Sequence, residues 1–294
     1  MVDSGKLTIV PTPIGNLGDI TLRAIEALRS ADAVLCEDTR VTGKLLTALD
    51  VKRPLVRLDE HTIRDRSDQI IARLQAGESF AYCSDAGMPG VSDPGMHLVS
   101  QARKQDIPVD VLPGASAVTT AYVASGFSAQ RFLFAGFLPR KERERAALLE
   151  SLAGLDAALI FYESPHRIAD SLEGIAQAFP TRQVALCREL TKIHEEVVVE
   201  QAPKLAERIA SRQQEAPLKG EIALVIDASS AEEEVLAQDA KRVGAQVRAE
   251  ELAAGGTRPK EAAQILSREC GIPRNEAYEL ALSARDRLRE GSSA

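Results

Sequence analysis

Three stretches of this chain are almost bare of reactive side chains, and their chemistry follows from that. "PTPIGNLGDIT" (11–21), "SDAGMPGVSDPG" (84–95) and "LPGASA" (112–117) each gather glycine and proline where an apolar run ends. Glycine lets main chain approach a ligand with no Cβ in the way, and proline sets that main chain in advance. Such loops offer N–H and C=O groups, which suit a nucleoside-like ligand with a flat ring and ribose hydroxyls. Asp85, where the second loop begins, can accept hydrogen bonds from hydroxyls or from an amino group. The phosphate signatures are missing: there is no GxxxxGK[ST], and "GNLGD" is neither GxGxxG nor followed by a P-loop lysine. The pattern favours a neutral or cationic nucleoside over a phosphate-rich cofactor, and it disfavours a dinucleotide oxidoreductase.

A second set of residues carries charge where other apolar runs end. Glu37, Asp38 and Arg40 lie in "CEDTR", and Glu60 and His61 in "DEHT". Glu163, His166 and Arg167 come from "YESPHR", and Glu189 and Lys192 from "RELTK". Groups of these types accept protons or favour developing negative charge. The histidines (His61, His97, His166, His194) show no HxH, HxxxH or Cys/His ligand spacing, so no metal is expected. No Ser/His/Asp arrangement suggests acyl transfer.

The elements that must position these groups alternate through the first half of the chain. Strands are expected at 7–13, 33–38, 54–60, 80–85 and 108–114, with amphipathic helices between them, such as 21–31. That alternation implies a largely parallel sheet with helices on its faces, and in such sheets ligands sit beyond the carboxyl ends of the strands. After residue 115 the strand-like runs (131–139, 157–164, 183–190, 195–201, 220–227) have fewer helices between them and read as a second, mixed α/β subdomain. "DASSAEEEVLAQD" (227–239) reads as a linker running into a helix. Beyond about 240 the chain reads as all helical, ending in a helix–turn–helix-like pair around "GIP". The fold class expected is α/β: subdomains at 1–115 and 116–230 flanking a cleft, with a helical extension at 231–294.

Composition sets the outer limits. The chain has 294 residues, 45% apolar and 27% charged, with a formal net charge of −7. That charge argues against a surface that coats nucleic acid everywhere, but leaves room for a local basic patch. No apolar run reaches ~18 residues, so no membrane span is expected. No basic segment leads into a long apolar stretch at the start, so no secretion signal is expected either. The four cysteines lie far apart and read as reduced thiols of a cytoplasmic protein.

Taken together, "VPTPIGNLGDITLRA", "CEDTRVTGKLL", "SDAGMPGVSDPG", "LPGASA", "FYESPHR", "CRELTKIHEE" and "KGEI" carry a resemblance. In that order, over residues 10 to 222, the chain resembles the tetrapyrrole-methylase superfamily of S-adenosylmethionine (SAM) enzymes. Within it, the chain is similar to the ribosomal RNA small subunit methyltransferase I branch. The first loop departs from the GxGPGD-like form of many porphyrin-modifying relatives, which fits an RNA substrate. The resemblance implies a SAM pocket in the cleft, a homodimer, and methylation of a cytidine 2′-hydroxyl in 16S rRNA of the small ribosomal subunit. It implies SAM contacts at Pro13, Ile14, Asp85, Gly87, Met88, Ser116 and Ala117, and further contacts at Tyr162, Leu190 and Glu221.

A ribose hydroxyl is a poor nucleophile at neutral pH and needs a proton acceptor or a cation beside it. Glu189 and Lys192 are expected there, with Glu163 and His61 as alternatives. "RFLFAGFLPRKERER" (131–145) supplies Arg140, Lys141, Arg143 and Arg145 for phosphates. Its phenylalanines are expected to alternate into the core. The helical tail adds Arg258 and Lys260. Two other readings stay open: a small-molecule methylase of the corrin or porphyrin type, and a non-catalytic ribosome-assembly factor that binds RNA.

Overall fold

The computed structural model describes residues 5–60, 62–91, 93, 95–228 and 231–291. They form two compact units.

The first unit contains two five-stranded sheets. Strands β1 (Leu7–Ile9), β2 (Ala33–Cys36), β3 (Leu55–Arg57), β4 (Phe80–Cys83) and β5 (Val109–Val111) lie in the order β3-β2-β4-β1-β5, all parallel. The two central runs "AVLC" and "FAYC" are buried along their whole length. Alternate residues of the same strands enter separate cores. Leu35, Phe80 and Tyr82 pack with Leu98 and Ile107, while Val34, Ala81 and Cys83 pack with Leu28 and Leu46. Burial on both faces is the signature of a parallel sheet sandwiched between helices. Those helices are α1 (Leu22–Ser30), α2 (Thr39–Ala48), α3 (Ile63–Gln75) and α4 (Gly95–Lys104). Thr21 caps α1 by accepting the Ala24 N–H at 3.0 Å, and Asp38 caps α2 by accepting the Arg40 N–H at 2.8 Å. The chain crosses β4 on its way from β1 to β2, and crosses β1 on its way from β4 to β5. The strand order therefore opens a crevice beyond the carboxyl ends of β1 and β4.

The second sheet is mixed. Strands β6 (Phe132–Phe137), β7 (Ala158–Glu163), β8 (Gln183–Arg188), β9 (Glu196–Gln201) and β10 (Ile222–Ile226) run in the order β6-β7-β10-β8-β9, with only the first pair parallel. Fewer helices separate these strands than separate those of the first sheet: α6 (Glu142–Leu152), α7 (Ile168–Ala178) and α8 (Ala202–Glu215) lie between them, with none between β8 and β9, and α5 (Ala117–Ser125) precedes β6. Helix α5, "AVTTAYVAS", was hard to see because it is apolar or β-branched nearly all round, with no polar stripe to reveal its period. Its Val118 and Ala121 enter the core of this sheet with Ile160, Ala185 and Ala223.

The second unit consists of α9 (Ala231–Ala254), α10 (Pro259–Cys270) and α11 (Arg274–Gly291). Helix α10 ends on Gly271 at φ +64°, a left-handed position that glycine takes without strain. Ile272 is then buried before α11 starts, so the helix–turn–helix pair expected around "GIP" is present. The core of this unit is mostly alanine (Ala245, Ala249, Ala262, Ala263, Ala277, Ala281, Ala284), around Leu266 and Ile272. Small side chains at the seam let the helix backbones come close, and most of the apolar volume then rests on Leu266. Leu266→Ala should destabilise this unit by about 2–5 kcal/mol. In a two-transition thermal melt, the transition of the helical unit should move down while that of the α/β unit stays put.

Candidate functional site

The three bare loops are fastened to one another. Thr12 and Gly87 exchange both backbone hydrogen bonds, N to O at 3.0 Å in each direction, an isolated antiparallel bridge between the first and second loops. Thr12 Oγ1 donates to the Ser84 carbonyl at 3.3 Å, and Ser84 Oγ donates to the Ala86 carbonyl at 3.3 Å. Gly114 of the third loop lies so close to the first that a Cβ there would stand 2.6 Å from Pro11 Cβ. Gly87 has φ +79°, and a Cβ on it would meet Ile14 Cγ2 at 3.2 Å. The loops thus form one rim, and glycine is what permits it.

Behind this rim is a cavity of about 380 Å³, within the range of small-ligand sites. From the parallel sheet it is lined by Ile14, Ala86, Gly87, Met88 and Val91, and from the start of α5 by Ser116 and Ala117. The mixed sheet contributes Phe137, Tyr162, Glu163, Ser164, Pro165, Cys187, Leu190, Gly220, Glu221, Ile222 and Ala223. Ile14, Gly87, Met88, Ser116, Ala117, Tyr162, Leu190 and Glu221, which the resemblance implies as donor contacts, all line this cavity. Pro13 and Asp85 flank the lining without joining it. Cys187, Ile222 and Ala223 were missed. They line the cavity because β8 and β10 pair antiparallel with Cys187 opposite Ala223, a register that strand alternation alone does not reveal. Tyr162 closes one side, with Phe134 and Phe137 at ring-centroid distances of 4.8 and 5.7 Å.

A wall beside the first loop of the rim is made by the turn after β8, of which Leu190 lines the cavity while Glu189 and Lys192 lie behind the lining. Lys192 Nζ donates to Glu189 Oε1 at 2.8 Å and to Glu221 Oε2 at 3.1 Å, and Glu189 Oε1 also accepts the Glu221 N–H at 2.9 Å. The Lys192 ammonium beside it holds the Glu189 carboxyl below its usual range. Burial works against the Lys192 charge, but the two carboxylates outweigh it and hold the ammonium above its ordinary value. Glu189 and Thr191 occupy left-handed backbone at φ 50° and 66°, unusual for residues with a Cβ. A Cβ on Gly15 would stand 2.4 Å from Lys192 Cγ, and one on Gly220 would stand 2.4 Å from the Glu189 carboxylate. Rim and wall therefore close together over the cavity. Glu163 lies at its floor, fully committed: Oε1 accepts the Ser164 N–H at 2.7 Å, Oε2 accepts Ser171 Oγ at 2.6 Å, and Arg167 pairs with Oε2 at 3.3 Å. His61 lies outside the described residues.

A cluster of carboxylates gathers where β2 and β4 end. Asp85 N–H points at Glu37 Oε1 at 3.4 Å, and Asp85 Oδ1 accepts the Asp38 N–H at 3.2 Å. Asp93 accepts the N–H groups of Gly90 and Gly95 at 2.7 and 2.8 Å. Burial first, then the charges of Asp93 and Asp85, push the Glu37 carboxyl up from 4.5 to about 7.

The basic residues expected to meet RNA divide. Arg140, Lys141, Arg143, Arg258 and Lys260 are exposed, and Lys141 pairs with Glu144 at 2.7 Å. Arg145 is a correction: it is buried, with its side chain running over Gly174, and is closed to phosphate. The phenylalanines of β6 are a second correction. Phe134 packs inward, but Phe132 and Phe137 are exposed. The strand shifts register between Phe134 and Phe137, which breaks the in–out alternation.

Residues 6–206 match the family described as Tetrapyrrole (Corrin/Porphyrin) Methylases. The chain is 40% identical over 284 residues to Ribosomal RNA small subunit methyltransferase I of Halalkalibacterium halodurans, covering 95% of each. It is 43% identical over 222 residues to the protein of the same name from Thermotoga maritima, covering 76% of this chain and 98% of that one. Among solved structures, diphthine synthase aligns at TM-score 0.60 and 16% identity, over 76% of this chain and 90% of that one. Uroporphyrin-III C-methyltransferase from Thermus thermophilus, complexed with S-adenosylhomocysteine, aligns at 0.54 and 17%, over 76% and 97%. The chain belongs to this methylase family, in its ribosomal RNA small subunit methyltransferase I branch.

It is a methyltransferase, and its donor is S-adenosylmethionine. The cavity fits that molecule. Its lining is mainly apolar, which suits an uncharged ring, and the carboxylate residues Glu163 and Glu221 among it suit a positively charged sulfur. Its rim is main chain brought close by glycines, where a Cβ on Gly87 or Gly114 would meet Ile14 or Pro11. It also carries no cluster of cations of the kind that marks a phosphate site.

Glu37 makes stability depend on pH. In the unfolded chain its carboxyl titrates near 4.5, in the folded protein near 7. Between those values the folded form holds the extra proton, so stability falls as pH rises through that window. Solvent screening of this half-buried group limits the effect to about 1–2 kcal/mol. Glu37→Gln should therefore raise Tm at pH 8 by a few degrees, with the gain vanishing by pH 4.5, read by thermal melts across pH.

Proposed function

We propose that this protein methylates a cytidine 2′-hydroxyl of 16S rRNA in the small ribosomal subunit, acting in the cytoplasm as a homodimer. The observation that carries the reading is 40% identity over 95% of the chain to a protein named Ribosomal RNA small subunit methyltransferase I. When bound, the donor supplies a methyl group on a positively charged sulfur.

On this reading, Pro13, Ile14, Asp85, Gly87, Met88, Ser116, Ala117, Tyr162, Leu190 and Glu221 enclose the donor. Backbone groups of the rim hold its ribose and base, and Tyr162 with its flanking phenylalanines covers the apolar side. Lys192 stands at the wall as a fixed positive charge that favours the oxyanion developing on the attacking hydroxyl. Glu189 and Glu221 hold that ammonium in place, so the pair expected beside the hydroxyl acts as a positioned cation. Glu163 keeps the Arg167 segment in register with the floor. Arg140, Lys141 and Arg143 on the α/β unit, and Arg258 and Lys260 on the helical unit, are exposed cations available to RNA phosphates. The exposed apolar side chains of Val123, Phe132 and Leu133 support a second copy as partner.

Mass spectrometry of rRNA from cells with and without the gene tests the reading: one ribose-methylated cytidine in small-subunit rRNA should disappear on deletion, and an unchanged profile would refute it. Lys192→Met should lower single-turnover methyl transfer about 10²-fold while leaving donor affinity, read by calorimetry, within a few-fold.

A further inference from the structure

One aromatic ring stands where the cavity meets solvent. Phe137, Tyr162, Ala223 and Cys187 lie opposite one another across β6, β7, β10 and β8, and all four line the cavity. Ala223 and Cys187 are buried and Tyr162 is half-buried, but Phe137 is 55% exposed. The row ends there, because β6 is the edge strand of its sheet.

That exposure is built into the strand. Gly136 takes φ +73°, and the pairing of β6 with β7 shifts register between Phe134 and Phe137. An irregularity of this kind re-aims a side chain beside a site. The chain is fixed again immediately afterwards. Leu138 is buried, and its carbonyl accepts a hydrogen bond from Arg167 Nη2, whose guanidinium also pairs with Glu163. The Phe137 ring meets Tyr162 at a centroid distance of 5.7 Å, edge to face, and the rest of it stays open.

A phenylalanine ring left in water forgoes the stabilisation that burial gives, so its place at the mouth calls for an occupant. The neighbouring charge indicates which. Arg140, Lys141 and Arg143 follow within six residues and are exposed, and Arg140 and Arg143 have no ion-pair partner among the described residues. An open ring beside cations is the combination that holds single-stranded nucleic acid: a base stacks on the ring while the cations take phosphates. A protein partner accounts for the ring and leaves the cations without a task.

We propose that the Phe137 ring is the platform on which the base of the acceptor nucleotide stacks. The inference rests on the reading of the substrate as RNA. A nucleotide stacked between its neighbours cannot bring its ribose into a cavity, so it has to be turned out of the stack. Phe137 replaces the stacking that is lost. The row from Phe137 to Cys187 spans three strand spacings, about 14 Å, so a base at its outer end leaves the inner part for the ribose and the donor. Stacking accepts the face of any base. Phe137 therefore sets where the ribose sits and leaves the choice of base to other groups.

The test uses the full-length protein, labelled donor and small subunits from cells lacking the gene. Phe137→Ala should raise the half-saturating concentration of small subunits about 10-fold or more, with donor affinity by calorimetry within a few-fold. Phe137→Tyr and Phe137→Trp keep a stacking face and should stay close to wild type. Phe137→Leu keeps apolar volume without that face and should behave as Phe137→Ala does. A Phe137→Ala protein that saturates like wild type, a Phe137→Leu protein that matches wild type, a loss matched by an equal loss of donor affinity, or a changed oligomeric state in light scattering overturns the inference and leaves the methylation reading standing. A wild type that modifies no small-subunit RNA overturns both. If Phe137→Ala fails to fold, the contrast between Phe137→Leu and Phe137→Tyr decides.

Discussion

The reciprocal hydrogen bonds between Thr12 and Gly87 hold the site together. They join the segments leaving β1 and β4, the two strands whose carboxyl ends face the crevice, and Pro11 against Gly114 adds the segment leaving β5. Each contact requires a position without a Cβ, and each gives up a possible side-chain contact for proximity of main chain. The cavity behind the rim is therefore shaped mostly by backbone on one side and by side chains of the mixed sheet on the other.

This division of labour explains how one architecture can serve different acceptors. On the proposed reading, the rim has only a nucleoside and a sulfonium to recognise, and it does so by geometry. The wall, made by the turn after β8 and by the start of β10, supplies charge. Proximity of reactants does much of the work in an in-line displacement, so a site that fixes the donor rigidly needs few reactive residues.

Much of the architecture was legible in the sequence. Buried apolar runs such as "FAYC", ending in Ser84 and Asp85, give both a strand and its place at the centre of a parallel sheet. Glycine-rich loops at three such ends give the rim, because few other functions require so many missing side chains. What stayed hidden was set by tertiary pairing. Helix α5 has no strongly polar stripe, because even its exposed side carries Thr119, Val123 and Ala124. The exposure of Phe137 follows from a shift in strand register that no local pattern announces, and that of Phe132 from its place on the edge strand of the sheet. The burial of Arg145 depends on Gly174, about thirty residues away along the chain. The raised pKa of Glu37 arises first from burial and then from aspartates brought in from other loops, and single residues read in order give no sign of it.

The fastening of rim and wall also bears on how spent donor leaves. The rim is tied by main-chain hydrogen bonds that are indifferent to salt. The wall is tied by Lys192 to Glu189 and to Glu221, the latter carboxylate 71% exposed. Ion pairs open to water weaken as salt rises, so on the proposed reading the wall is the side that yields to spent donor, and more readily at higher ionic strength.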